Sequence, residues 1–350
     1  MDADGVNELV KSRKLEDRLR AVRLAARLPE EQRLAPLLVL LRDRASYVAS
    51  LAAEALGTAA DWPSAGQMRD RFLYLSEDGL KRDPGCHVRS HLAYAFGRLE
   101  YTPAHDALRA GLRTVQIEAV AGVPFDTAAQ LRANCAISLA HLHDPDAVRE
   151  IAPLLFDTGE NHILRILKPT GIAKRIPADV RGKMARALGA TGDPAAAVPL
   201  GLKLSFPTGE APEVLQECMQ ALVSIEADNA IELLTPYLGH HDTHLAAYAA
   251  LMIAQTGAPE AAALLRATIV ELHGDPLRAV ILALASVRSD EAREILREVA
   301  VDARMAARMA LIEALAGSVD PADRACLQRL ADSDTYLQVR DSAREALREE

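Results

Sequence analysis

Aromatic side chains are scarce in this sequence: 4% of 350 residues, with a single tryptophan, Trp62. Alanine and leucine must therefore do the packing, as suits helices that approach closely. Cysteine is sparse too. Cys86, Cys135, Cys218 and Cys326 lie far apart with no Cys-x-x-Cys, which excludes a disulfide framework and fits a reducing, cytoplasmic setting. Cys135 and Cys218 occupy apolar helical positions, where a thiol acts as a small hydrophobe. No long hydrophobic run exists. The longest is ten residues, Leu245 to Ala254, too short to span a membrane, and the N-terminal MDADGVNELVKSRK has no apolar signal core. Gly-rich phosphate loops and Gly-x-Ser-x-Gly elbows are missing as well.

Positive charge is in deficit, with a formal net charge of −9. An acidic chain repels phosphate backbones unless a local basic patch overrides the mean, which argues against nucleic acid as a partner. The one basic bias is N-terminal. The first 44 residues carry ten Lys or Arg against eight Asp or Glu. Residues 1–45 read as a capping repeat with alternating surface charge.

What the sequence has is a period. Leu222, Ile253, Leu284, Leu315 and Ala346 end helical segments at intervals of 31 residues. A second series, Leu234, Leu265, Leu296 and Leu327, runs in step with it. Two interleaved series at one period mean a two-helix unit copied along the chain. Each unit buries its apolar face on its neighbours, so length does not count domains here. The expected fold is all-α: an α-solenoid forming one array over 1–350, regular from 190 to 350. Before 190 the spacing widens to between 40 and 49 residues. The last interval holds an excess, 156–177, with two glycines and two prolines, expected to project as an insertion that helps select a partner. FPTGEAP (206–212) is a second irregular joint.

The second helices share a form: YVASLAAEALGTA (47–59), VRSHLAYAFGRL (88–99), LRANCAISLAHLHDPDAV (131–148) and VRGKMARALGATGDPAAAVPL (180–200). Their apolar positions fall on one helical stripe, such as Val88, Leu92, Ala93 and Phe96. Asp-Pro at 144–145, 193–194 and 275–276 separates helices. Gly57, Gly97 and Gly189 are expected at helix ends as left-handed caps. This pattern resembles the HEAT-like repeats of the phycocyanin-lyase type, over nearly the whole chain. The resemblance implies a right-handed superhelix of about nine helix pairs, with second helices lining a concave side. It says little of function.

Enzymes occur on such scaffolds, so two alternatives stand: a bilin lyase-like protein, and a metal-dependent oxidoreductase of deoxyhypusine hydroxylase-like architecture. The latter uses His-Glu pairs. None occurs here, and three histidines are followed by aspartate instead: His105-Asp106, His143-Asp144 and His241-Asp242. GHHDTH (239–244) and the pair His87/His91 have donor chemistry, but a polar turn and a helix surface account for them. No catalytic residue, metal site or cofactor is assigned.

The expected function is a non-catalytic scaffold that binds a partner helix or peptide in the concave groove. Positions three and six residues past each second helix's leading apolar residue leave the core stripe. There the sequence places Tyr94, Ile137, Tyr248, Leu251 and Leu282, with basic Lys183 and Arg186. A purely solvated ridge would be charged throughout; this one offers apolar and aromatic anchors. The same rule puts Ala310 on the ridge.

Overall fold

The computed structural model describes residues 3–120, 123–156, 178–226, 228–287 and 289–348. Among them are 21 α-helices and one two-stranded sheet, and the chain is an α-solenoid. Past Phe156, the expected insertion at 156–177 lies outside the described residues. The chain divides into two compact units, one of residues 1–203 with 207–221, the other of 204–206 with 222–350.

In the first unit, the helices Ser46–Ala59, His87–Arg98, Ala129–His141 and Ala178–Ala190 pack one on the next as second helices. The first helices Glu30–Leu40, Trp62–Ser76, His105–Leu112 and Ala147–Leu155 cover their other side. Local chemistry sets the ends. Asp61 and Ser64 form a reciprocal capping box at the start of Trp62–Ser76, with Pro63 in the first turn. In the second unit, Thr243–Gln255, Gly274–Ser286, Met305–Leu315 and Leu337–Ala346 pack in the same succession. Every member of both 31-residue series is buried.

The motif glycines are not helix caps. Gly57, Gly97 and Gly189 lie inside their helices, and none has a positive φ. The left-handed residues come later, at Gly192 and Gly257 just past helix ends. What Gly97 provides is proximity: a Cβ there would stand 2.5 Å from Ser138 Oγ and 3.0 Å from Ser138 Cα on the next second helix. Ser138 Oγ in turn donates to the Ala93 carbonyl across the same contact, at 2.7 Å.

A β-hairpin, absent from the helical reading, occupies part of the 43-residue interval between Gly97 and Ala140. Strands β1 (Ile117–Val120) and β2 (Val123–Asp126) pair antiparallel, with Ile117 opposite Asp126 and Glu118 opposite Phe125. It precedes the second helix Ala129–His141 and brings Glu118 and Phe125 to its N-terminal end.

Candidate functional site

In the turns before six of the described second helices an acid does two jobs. It caps the turn through backbone N–H groups and it receives an arginine. Asp43 accepts from the Ala45 amide and from Arg18 of the preceding second helix, Leu15–Ala25. Asp334 accepts from the Tyr336 amide and from Arg308 of the preceding one. Glu210, within the irregular joint 206–212, accepts from the Ala211 amide and binds both Arg181 and Lys203. In two turns the arginine comes instead from the same helix: Arg89 to Asp83 at 3.0 Å and Arg132 to Asp126 at 2.7 Å. Arg89, Arg132, Arg181 and Arg308 occupy the second position of their helical motif and are all buried. The recurring Val-Arg pair in the sequence was the available signal for them.

The turn at 83–87 is the most elaborate. Gly85 and Cys86 are both left-handed, at φ +75° and +56°. The positive φ at Gly85 favours glycine there. The fully buried Asp83 accepts from the Val88 and Arg89 amides as well as the Arg89 guanidinium. Arg89 Nη2 continues to Gln116 Oε1 at 2.6 Å, and Gln116 Nε2 donates to Glu118 Oε1 at 2.5 Å. That oxygen also accepts from the Gly85 amide at 2.8 Å and from Thr127 Oγ1 at 2.7 Å. Burial works to raise the Glu118 pKa, but the hydrogen bonds from Gln116, Gly85 and Thr127, with His87 nearby, hold it below the usual carboxylate range. Burial pushes the Cys86 thiol up to about 12, so it is inert at neutral pH.

This network forms one wall of a cavity of about 830 Å³. Ser46, His87, Ser90, His91, Phe125, Gln130 and Asn134 line the rest. Three consecutive second helices contribute. A strip of side-chain hydrogen bonds crosses that face: Lys183 Nζ donates to Gln130 Oε1, Gln130 Nε2 to Asn134 Oδ1, and Asn134 Nδ2 to Ser90 Oγ and its carbonyl, all at 2.8–2.9 Å. Burial lowers the His91 pKa, with Glu54 opposing.

The expected ridge residues fall as follows. In the first unit, Tyr94 is 50% exposed and lies one turn beyond His91; Ile137 and Lys183 are half-buried, and Arg186 is exposed. Arg186 reaches Glu217 on the helix Pro212–Ser224, its Nε at 3.1 Å. In the second unit, Leu251 is 37% exposed, and Tyr248 and Leu282 are half-buried. Ala310 is a correction: it is 2% exposed, because the close packing of Met305–Leu315 on Gly274–Ser286 draws that position into the core. GHHDTH is a capping turn. Asp242 accepts from the His244 and Leu245 amides, His240 Nδ1 accepts from the Asp242 amide, and the two adjacent histidine rings lie 4.2 Å apart. Among the described residues, no group of three or more His, Cys, Asp or Glu side chains could hold a metal ion, and no helix is long and apolar enough to cross a membrane.

No protein-family model matches the chain, and no curated protein matches it. Known structures do resemble it. One is a homology model of the full-length AP-3 complex in an intermediate open conformation, at 13% identity over 99% of this chain and 68% of that one, TM-score 0.55. Another is a mutant of Kap121p, at 10% identity over 98% of this chain and 41% of that one, TM-score 0.50. A third is the CpcE–CpcF complex of phycocyanin lyase from Nostoc sp. PCC7120, at 18% identity over 91% and 94%, TM-score 0.37. The first two likenesses show the architecture, a helical repeat solenoid, and nothing narrower.

Proposed function

We propose that this chain is a non-catalytic interaction scaffold in the cytoplasm, and that a helix or extended peptide of a partner protein lies along its second-helix face. The observation that carries this reading is the state of that face. None of Tyr94, Ile137, Lys183, Arg186, Tyr248, Leu251 and Leu282 is buried, although apolar and aromatic side chains dominate the set. In the first unit the ridge runs beside a cavity with Glu118 on its wall. Tyr and Arg are favoured anchors, and apolar side chains left on a surface are what a partner covers. The reading includes one continuous array of HEAT-like repeats of the phycocyanin-lyase type, capped by residues 1–45, with neither membrane nor nucleic acid as a target.

The test is affinity capture from the source cell with mass spectrometry, run in parallel on the parent and on Y94A/R186A/Y248A/L251A. Circular dichroism checks the fold. Each anchor should contribute about 1–3 kcal/mol, so partners held by the parent should be lost by the variant. A folded variant that captures the same proteins as the parent overturns the proposal.

A further inference from the structure

The cavity beside Tyr94 has a carboxylate with no lysine or arginine partner. Glu118 is half-buried on its wall. One carboxylate oxygen, Oε1, is saturated by three donors: the Gly85 amide, Gln116 Nε2 and Thr127 Oγ1. All three are neutral. Among the described residues no hydrogen bond or salt bridge reaches Oε2. The nearby guanidinium, Arg89, is committed to Asp83, and Gln116 stands between it and Glu118. The buried acids of the second-helix turns, Asp43, Asp83, Asp126, Glu210 and Asp334, each hold an arginine or lysine. Glu118 lines a cavity with no such partner.

The surroundings keep that charge available. No lysine or arginine lines the cavity. Lys183 stops at its edge, on Gln130 and Asp179. Burial disfavours protonation of His91, and exposed His87, the other histidine on the wall, acts on Glu118 through space without a hydrogen bond to it. Glu54, exposed on the preceding second helix, acts electrostatically on His91 and so adds negative potential on that side. Phe125, paired opposite Glu118 in the hairpin, supplies an aromatic ring to the same space, and ring faces attract cations. Ser90 and Asn134 add hydroxyl and amide groups for the remaining N–H donors of a cation. The rigidity of the left-handed turn and the three-donor clamp means that the carboxylate is placed before a ligand arrives, which lowers the cost of binding.

We infer that this cavity is a cation-recognition pocket, in which Glu118 Oε2 receives the ammonium or guanidinium group of a lysine or arginine side chain carried by the partner. The inference rests on reading the second-helix face as a partner surface and specifies what that partner must present: a basic residue set beside apolar ones that meet Tyr94 and Ile137.

The experiment uses the full chain, labelled with ¹⁵N, and three short peptides identical except for a central lysine, arginine or norleucine. The amide signals of Gly85, Ser90 and Thr127 report on the pocket directly. Saturable shifts are expected with the lysine or arginine peptide, and at least tenfold weaker binding with norleucine. Glu118→Gln keeps the shape and an acceptor oxygen but removes the charge, and should bring the basic peptides down to the norleucine level with an unchanged circular dichroism spectrum. Should that variant lose its fold, salt serves on the parent. Raising ionic strength tenfold should weaken the basic peptides severalfold and leave norleucine unaffected. Equal affinity for all three peptides, no pocket shifts at millimolar peptide, or salt-independent binding each overturns the inference. Its failure is separable from that of the scaffold reading. Ridge-dependent partners with no preference for basic peptides sink only the cation pocket. Basic peptides that bind while the ridge variant captures as the parent does leave the pocket and sink the scaffold.

Discussion

The two compact units use the same helix pair for different ends. From Leu222 onward the repeats keep one length, and their cohesion is an apolar ladder: Leu234, Leu265, Leu296 and Leu327 on one side, Ile253, Leu284 and Leu315 on the other, all buried. Cross-repeat ion pairs there such as Arg266–Glu298 and Arg278–Glu313 sit in solvent, and Arg308–Asp334 in the last turn is a buried one. The first unit breaks the period and fills its longer connections with polar structure. There stand the left-handed turn at Gly85–Cys86, the hairpin, and buried ion pairs at Asp43, Asp83, Asp126 and Glu210. Buried polar groups must be fully satisfied to be tolerated, and once satisfied they fix a single geometry. Regularity yields a ladder of like repeats; departure from it yields a shaped cavity.

The comparison breaks most visibly at Glu210. This carboxylate is 3% exposed and holds Arg181 and Lys203, themselves 5% and 8% exposed. Removing it by Glu210→Ala strands two buried cations and should cost about 3–5 kcal/mol, read by urea denaturation. Burial works to raise the pKa of Glu210, and the bonds from Arg181, Lys203 and the Ala211 amide more than offset it, holding the group at about 2. Because the folded value lies below the unfolded 4.5, the stabilisation is complete above that pH and is lost as pH falls towards 2. The parent should therefore weaken between pH 5 and pH 2 by more than Glu210→Gln does. An identical acid limb in both would sever the joint from stability.

Next in size is the apolar ladder. Leu284 is fully buried between repeats, and Leu284→Ala should cost about 2–5 kcal/mol. Since each repeat leans only on its neighbours, the cavity should also broaden the thermal transition as the flanking repeats uncouple. A melt unchanged in midpoint and width would remove the ladder from the argument. Close approach comes third. Gly97→Ala in the first unit forces a methyl against Ser138 backbone and side chain, an overpacking of about 1–3 kcal/mol. Adding Ser138→Ala removes the 2.5 Å clash with Oγ but not the 3.0 Å approach to Cα, so the double variant should recover only part of the loss.

Much of the fold was legible, and the reason is physical. A repeat stacked on copies of itself must place an apolar residue at the same phase each time, so 31-residue spacing survives in the letters. The half-exposed ridge at Tyr94 and Leu251 follows from the same periodicity. The hairpin did not show, because strands of four residues are too short for a period of two to stand out. Gly97 was misread because its partner, Ser138, lies 41 positions away in sequence, and a helix-terminal glycine looks alike whether it caps or makes room. Glu118 and Glu210 were passed over for a related reason. A carboxylate in a connection is usually solvated, and only the fold shows that one lines a cavity and the other meets a pair of buried cations.

The smallest expected effect tests burial as the deciding variable. Arg278 and Glu313 link Gly274–Ser286 to Met305–Leu315 through two hydrogen bonds, Nε to Oε2 at 2.8 Å and Nη2 to Oε1 at 2.5 Å. That is the same two-pronged contact across repeats that Arg181 makes with Glu210. The side chains, however, are 55% and 45% exposed. Water screens their attraction, and two long side chains lose rotamer freedom to make it. A double-mutant cycle with Arg278→Met and Glu313→Gln should return a coupling of about 0.2–1 kcal/mol, shrinking further in 0.5 M salt. The same cycle on Arg181 and Glu210 should give several times more and resist salt. Equal couplings in the two cycles would mean that geometry, not exclusion of water, sets the strength of these links, and the contrast drawn between the units would fail with it.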